Sequence, residues 1–193
     1  MHISVLLHEA IQQLDIHQDC WYIDGTFGRG GHTKAILEKG GNVIAFDWDH
    51  EAIAFGKEIF APEITDGRLI LVHESFSKIE QSVKALRIET EKDLEICGVL
   101  FDFGTSTEQL TSAERGFSFE GEGELDMRMD TRLGVMAKDI LALIPENQLA
   151  DVFRDFGGEE EAKAVAKAIK QAKAPITTTK QLADVVAKAK RHT

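Results

Sequence analysis

The stretch Trp21–Asp49, WYIDGTFGRGGHTKAILEKGGNVIAFDWD, decides the fold class of this 193-residue chain. A short apolar run ends at Asp24, a cluster of glycines follows, a helical pattern comes next, and a second apolar run ends at Asp47. Strand, glycine turn, helix, strand and acid in this order form the opening unit of a nucleotide-type fold with a parallel sheet. The sequence therefore predicts an α/β fold.

The glycines of this unit indicate a ligand site at the turn. Gly28, Gly30 and Gly31 tolerate positive φ and let a ligand approach the backbone, and the next helix begins with unpaired N–H groups. Asp47, 23 positions after Asp24 and so near the expected spacing of about 20, can accept both hydroxyl protons of a ribose. The glycines miss the dinucleotide spacing G-x-G-x-x-G, and Asp24 before them suits a ligand with a positive group. The pattern favours S-adenosylmethionine over NAD, and a tight turn without a ligand is the alternative.

Composition places the chain among soluble globular proteins. Hydrophobic residues make up 43% of it, and no apolar run approaches the length of a membrane span. Met1 to Ser4 lack the basic region that precedes the apolar part of a secretory signal. Two cysteines give neither a disulfide framework nor metal-ligand spacing, and Cys97 lies in a strand-like run as a predicted core residue. We expect a cytoplasmic protein without a metal site.

Charge is unevenly distributed along the chain. A net charge of −11 argues against a nucleic-acid partner. Residues 155–193, however, hold eight Lys/Arg and five Asp/Glu. Lys163, Lys167 and Lys170 lie at spacings of four and three, on one side of a predicted helix. This side is either an RNA-binding face or an ordinary solvated face.

The remaining periodicities place two more strands and several helices. Strands are predicted at 69–72 and 98–101, and helices at 4–14, 50–60 and about 79–86. The C-terminal part is predicted to be all helical, with Thr177–Thr179 as an N-cap, over Ala137–Ile144, Asn147–Phe156, Glu159–Lys173 and Thr179–Lys190. We expect a core at 1–110 and a linker with a helical subdomain at 111–193. His8 and Glu9 are predicted at the surface, with a place in a site as the alternative.

Acids follow three of the predicted strands: Asp24, Asp47 and Asp102. In a doubly wound sheet the carboxyl ends of the strands meet at one edge, where ligands bind. The sequence therefore predicts that these three carboxylates share a site.

With these residues in place, the chain closely resembles the bacterial ribosomal small-subunit RNA cytidine N4-methyltransferase family. The likeness extends from Met1 to Lys190. It is carried by five segments: His2–Glu9, Asp24–His32, Ala45–Asp49, Arg115–Phe119 (RGFSF) and Leu125–Asp130 (LDMRMD). The resemblance implies a Rossmann-like class I methyltransferase sheet with an inserted helical substrate-recognition domain.

The resemblance also implies site residues. For S-adenosylmethionine it implies contacts from the glycine turn, a ribose acid, a residue near the adenine and two residues flanking the methyl end: Asp24, Gly28, Gly30, Gly31, His32, Asp47, Phe76, Asp102 and Gln109. For the substrate, small-subunit ribosomal RNA or the ribosomal subunit, it implies four residues: Arg115, Asp126, Arg128 and Asp130. No membrane partner is implied, and the oligomeric state stays unknown.

The chain departs from the family pattern in two respects. The family usually reads Asp-Leu-Gly-Val-Ser-Ser-Pro-Gln where residues 102–109 here read Asp-Phe-Gly-Thr-Ser-Thr-Glu-Gln. Family members also continue past the helical domain into further core strands, so the resemblance implies a sheet that lacks its last strands. A partial family member that binds cofactor or RNA without turnover is therefore the alternative function.

The chemistry leaves two roles open for Asp102. Its carboxylate can bond the N4–H of the target cytosine and take the proton late in methyl transfer, or it can fix the cofactor only. The target base has to leave its stack to reach the site. Methylation of another amine, in a protein or small molecule, is disfavoured by the RGFSF and LDMRMD segments.

Overall fold

A computed structural model describes residues 5–91, 94–104, 115–119 and 121–190. The chain separates into two compact units, Met1–Gly104 and Thr105–Thr193. The predicted boundary at 110/111 lies outside the described residues and stays a prediction. Within the described part of the chain, no helix is both long and apolar enough to cross a membrane.

Four parallel strands form the sheet of the first unit, in the order β3-β2-β1-β4. Their bounds are β1 Trp21–Asp24, β2 Asn42–Asp47, β3 Leu69–His73 and β4 Ile96–Leu100. Asp24 is in register with Ala45 of β2 and Leu100 of β4, so the strands end at a common edge. The predicted α/β class, with a Rossmann-like parallel sheet, is confirmed.

Helices cover both faces of this sheet. Their bounds are α1 Leu7–Gln13, α2 Gly31–Glu38, α3 His50–Ile59, α4 Ala61–Thr65 and α5 Ile79–Thr90. Strand residues alternate between the faces, as the period of two requires. Tyr22 and Val43 pack with α1 and α2 on one face, whereas Ile23 and Ile44 pack with α5 on the other. The two apolar layers hold the carboxyl edge of the sheet in place.

The second unit has its own core. Its described helices are α6 Ala137–Leu143, α7 Glu146–Gly157, α8 Ala162–Lys170 and α9 Thr179–Lys190. Leu141, Leu149 and Val165 from three of these helices are buried together. The predicted N-cap of α9 is confirmed. The Thr178 hydroxyl accepts the backbone N–H of Gln181 at 3.3 Å, and the Gln181 side chain accepts the Thr178 N–H at 3.2 Å.

Cys97 is not a core residue, contrary to the sequence prediction. It is exposed and forms a disulfide with Cys20, across a Cα–Cα distance of 5.9 Å. The two residues are 77 positions apart in sequence. They meet because β1 and β4 are neighbours, with Trp21 in register with Ile96, and linear spacing does not reveal that adjacency.

Lys170 does not belong to the predicted basic face. Its ammonium donates to the backbone carbonyls of Leu141 at 2.6 Å and Ala142 at 3.0 Å, in the last turn of α6. A cation at a helix C-terminus satisfies carbonyls that have no partner within the helix. Lys163 and Lys167 are exposed, so only these two lysines remain candidates for a basic face on α8.

Candidate functional site

The glycine turn between β1 and α2 brings exposed backbone to the carboxyl edge of the sheet. Gly28 and Gly30 have φ of 54° and 72°, a region that disfavours residues with a side chain. A Cβ at Gly30 would lie 2.7 Å from the ring of Phe60 and 2.8 Å from that of Phe27. At Gly28, by contrast, the one atom of the described residues within 4 Å of a Cβ would be the Thr26 carbonyl oxygen, at 3.9 Å. The turn is therefore packed against two aromatic rings at Gly30, whereas at Gly28 it leaves space for a ligand.

Asp24 lies in the interior and holds this turn together. Its carboxylate is 1% exposed. It accepts the Thr33 hydroxyl at 2.7 Å and the Thr26 backbone N–H at 3.1 Å. Burial raises the pKa of the Asp24 carboxyl above its ordinary value, and the hydrogen bonds from Thr33 and Thr26 oppose that shift. Asp24 thus links β1 to α2 through its side chain.

Asp47, at the end of β2, is hydrogen-bonded to the same turn. Its Oδ2 accepts the Gly28 N–H at 2.8 Å, and its Oδ1 accepts the Asp49 N–H at 2.9 Å. Burial raises the pKa of the Asp47 carboxyl, while the backbone donors of Asp49 and Gly28 lower it. A third backbone donor, from Trp48, also lowers this pKa. A carboxylate has about four lone pairs, so Asp47 keeps acceptor capacity for a ribose hydroxyl. The structure places the predicted ribose acid beside the predicted glycine turn.

His32, in the first turn of α2, carries a buried polar atom. The residue is 5% exposed, and its Nε2 has no hydrogen-bond partner among the residues that the structure describes. Buried ring nitrogens are normally paired, so an orphaned one beside an open glycine turn suits a polar ligand.

Four aromatic rings surround the same edge of the sheet: those of Trp48, Phe76, Phe101 and Phe103. Phe76 contacts each of the other three rings, at centroid distances of 6.4, 5.7 and 5.5 Å respectively. Phe101 and Phe103 stack at 5.3 Å, with 10° between their planes. All four side chains remain partly solvent-accessible. We call this group the ring cluster.

The ring of Phe101 covers Gly25. A Cβ added at Gly25 would overlap this ring, so only glycine allows the present packing. The ring cluster therefore reaches from the loop after β3 to the first glycine of the turn.

Asp102 follows β4 and is connected to the turn through its backbone. Its N–H donates to the Thr26 hydroxyl at 2.7 Å. The same threonine donates its backbone N–H to Asp24, so the three predicted acids border one turn. Gln109 lies outside the described residues.

The four predicted substrate residues all lie in the second unit. Arg128 pairs with Asp126 through two bonds, of 2.6 and 2.8 Å, and this pairing lowers the pKa of the Asp126 carboxyl. Arg115 donates to the backbone carbonyls of Arg128 and Met129, both at 3.1 Å. Asp130 pairs with Arg132. The Arg115 side chain therefore joins the RGFSF segment to the LDMRMD segment.

Sequence reasoning missed several residues that shape the site. Thr26 and Thr33 hold Asp24, yet hydroxyl residues are common in turns and gave no distinct signal. Trp48, Phe101 and Phe103 form most of the ring cluster. The sequence marked these aromatic residues only by their position, because each is adjacent to one of the acids at or just after the end of a strand.

Comparison with known proteins adds the following. A family model described as the MraW methylase family matches residues 1–193. A protein of Nitrosospira multiformis named ribosomal RNA small subunit methyltransferase H is 46% identical over 193 residues, which cover 97% of this chain and 58% of that relative. A protein of the same name from Rhizorhabdus wittichii is 44% identical over 191 residues, which cover 99% of this chain and 56% of that relative. The chain thus spans a little over half the length of these relatives.

Proposed function

The chain belongs to the MraW methylase family, and on this premise we propose that it methylates N4 of a cytidine in small-subunit ribosomal RNA, with S-adenosylmethionine as methyl donor. The observation that carries the proposal is the bond between Asp47 and Gly28, because it sets a diol acceptor beside an open glycine turn. The names of the two relatives support the substrate class. A cytoplasmic location is part of the same proposal.

S-adenosylmethionine supplies a methyl group on a positively charged sulfonium. In the proposal, Asp47 accepts the ribose hydroxyls with its remaining lone pairs, and Phe76 lies beside the adenine. Gly30 and Gly31 present backbone at the start of α2, and His32 provides its unpaired Nε2 for a polar group. Asp24 is buried and makes no contact with the cofactor in this proposal; it fixes the turn by accepting the Thr33 hydroxyl. These residues fit the group, since the turn is open above Gly28.

Asp102 and Gln109 belong to the methyl end of the site in this proposal. Methyl transfer depends mainly on in-line positioning of donor and acceptor. The exocyclic amine of cytosine is a weak nucleophile because its lone pair is delocalised into the ring. With the cofactor bound, the Asp102 carboxylate would accept one amine N–H and take up the proton that the nitrogen releases when the methyl carbon exchanges its bond to sulfur for a bond to nitrogen, leaving a neutral thioether. The Thr26 hydroxyl keeps the Asp102 backbone at this place.

The second unit holds the RNA in the proposal. Arg115 fixes the RGFSF segment to the LDMRMD backbone, Arg128 pairs with Asp126 inside that segment, and Asp130 pairs with Arg132 just after it. The unit then presents a preformed surface to RNA.

The proposal is tested by incubating the protein with unmethylated small-subunit ribosomal RNA and S-adenosylmethionine, then analysing nucleosides by mass spectrometry. N4-methylcytidine is the expected product. A methyl group on a ring carbon, a ribose or a protein would reject the reaction. The absence of any methylated product, with cofactor or RNA still bound, would instead favour the alternative of a partial family member that binds without turnover.

A second measurement separates the two roles of Asp102. Asp102→Asn retains the shape of the side chain but removes its negative charge. If Asp102 assists the amine, turnover falls while the dissociation constant of the cofactor stays nearly constant, because the interaction is made in the transition state. If Asp102 only holds the cofactor, the dissociation constant rises instead. Calorimetry and single-turnover kinetics on the same variant distinguish these outcomes.

A further inference from the structure

Phe103 exposes more of its surface than any other member of the ring cluster. It is 71% exposed, whereas Trp48, Phe76 and Phe101 are 38%, 38% and 42% exposed. Contiguous exposed apolar surface marks interaction sites, and Phe103 is the most exposed part of the ring cluster beside the glycine turn.

The ring of Phe103 is supported on its inner side. It stacks on Phe101 at 5.3 Å and meets the edge of Phe76 at 5.5 Å. Phe101 in turn lies on Gly25, and the intervening Asp102 N–H is bonded to Thr26. Phe103 thus presents an outer π-face from a position fixed on two sides.

The position of Phe103 favours the acceptor base over the adenine of the cofactor. The ribose acid Asp47 ends β2, and Trp48 and Phe76 lie at that side of the edge. Phe103 follows β4, which is separated from β2 by β1. Neighbouring strands are about 4.8 Å apart, so β4 lies roughly 10 Å from β2. The segment after β4 carries both Asp102 and Phe103, which places Phe103 next to the proposed methyl acceptor; Phe76, which its ring meets at 5.5 Å, lies between it and the β2 side.

We propose that the exposed face of Phe103 stacks on the target cytosine, or on a base next to it, once that base has left its own stack. Stacking on an aromatic ring is the usual way in which proteins hold unpaired bases, because every base has a π-face. This inference rests on the proposed function and assigns a substrate-positioning residue to it.

The test compares two affinities in the same variants. The probes are a fluorescently labelled single-stranded oligocytidylate, followed by anisotropy, and S-adenosylmethionine, followed by calorimetry. Phe103→Ala is expected to weaken oligocytidylate binding by about 5- to 150-fold, the range that loss of one base stack gives. Its cofactor affinity should stay within about twofold. Phe103→Trp should bind RNA at least as well as the wild type, and Phe103→Leu should fall between wild type and Phe103→Ala.

The control is Ile88→Ala, which removes an exposed apolar side chain (81%) from α5 of the first unit. It should change neither affinity. Unchanged RNA binding in Phe103→Ala overturns the inference, and so does a loss confined to cofactor binding, which would assign the ring to the adenine. The proposed function fails separately, through a wild type that forms no N4-methylcytidine. A wild type that binds no RNA would reject both.

Discussion

The hydroxyl of Thr26 accepts the backbone N–H of Asp102 at 2.7 Å, across 76 positions of sequence. This bond connects the turn after β1 to the segment after β4. The proposed methyl-acceptor side and the proposed cofactor turn are therefore linked by this side chain, in addition to the β1–β4 pairing and the Phe101 ring on Gly25.

Thr26→Val should loosen that connection. The substitution preserves shape and leaves the Asp102 N–H without its acceptor, so we expect the free energy of unfolding to fall by about 0.5–1.5 kcal/mol. Turnover should fall further than cofactor affinity, because the Asp102 segment rather than the Asp47 side loses its anchor. Urea denaturation and calorimetry measure the two effects. Thr26→Ser retains the hydroxyl and serves as the matched control. If Thr26→Val and Thr26→Ser have the same free energy of unfolding, the bond between Thr26 and Asp102 does not contribute to stability.

Asp47→Ala should weaken S-adenosylmethionine binding by about 1–3 kcal/mol, the cost of leaving hydroxyl partners unpaired. Part of the loss reflects the Gly28 N–H, which also loses its acceptor. The measurement is isothermal titration calorimetry, with thermal unfolding recorded in parallel. Asp66→Ala makes the same charge change at an exposed position and should leave affinity intact. An unchanged affinity in Asp47→Ala would remove Asp47 from the site, and NAD should not compete in either protein.

The buried Asp24 predicts an unusual pH dependence. Burial raises its folded-state pKa above the ordinary value of 3.8, so the folded protein binds this proton more tightly than the unfolded chain. The resulting stabilisation is fully present below 3.8 and is lost as pH rises through the raised folded pKa. Asp24→Asn does not titrate.

The stability difference between Asp24→Asn and the wild type should therefore shift in favour of the variant as pH rises from about 4 to about 7. Asp47 also titrates in both proteins, and its repulsion with Asp24, which raises the pKa of Asp24, is absent in Asp24→Asn, so the loss of this repulsion favours the variant in the same direction. Urea denaturation across this pH range gives the curve. A difference that stays flat, or moves toward the wild type, would contradict the pKa direction.

The lysines of α8 carry a prediction about RNA. Lys163 and Lys167 are exposed and four positions apart, hence on one side of the helix. Replacing both with glutamine should weaken RNA binding and reduce the slope of log K against log salt by about 0.7 for each phosphate that a lysine no longer neutralises. Lys57→Gln, an exposed lysine in the first unit, supplies the control. An affinity that does not depend on salt would leave this side of α8 as a solvated face.

The hydrophobic periodicity, together with the acids and glycines that bound the apolar runs, predicted the strands and helices of the fold well. The apolar runs before Asp24 and Asp47 are strands, and the run at 69–72 is another, because buried strands are short, apolar and sharply bounded. The same pattern placed Asp47 beside the glycine turn. It did not predict the hydrogen bond between the Thr33 hydroxyl and Asp24, because that bond depends on how the first turn of α2 packs against the end of β1.

The features that sequence reasoning did not predict all depend on contacts between residues that are distant in sequence. Phe101 was assigned to the fourth strand, yet β4 ends at Leu100 and the ring turns onto Gly25. Cys20 and Cys97 pair only because β1 and β4 are adjacent. The Lys170 ammonium is not available to the predicted basic face because it donates to backbone carbonyls at the end of α6. In each case the partner is far away in sequence and carries no local signal.

The two tryptophans of the chain occupy opposite surroundings, and this gives the protein two optical reporters. Trp21 is 7% exposed in the sheet core, whereas Trp48 is 38% exposed beside Phe76. An indole in an apolar interior emits at shorter wavelength than one in contact with water. The blue side of the emission band therefore follows loss of the core during unfolding. The red side follows events at the rim of the sheet, so one titration can separate ligand arrival from denaturation without any attached dye.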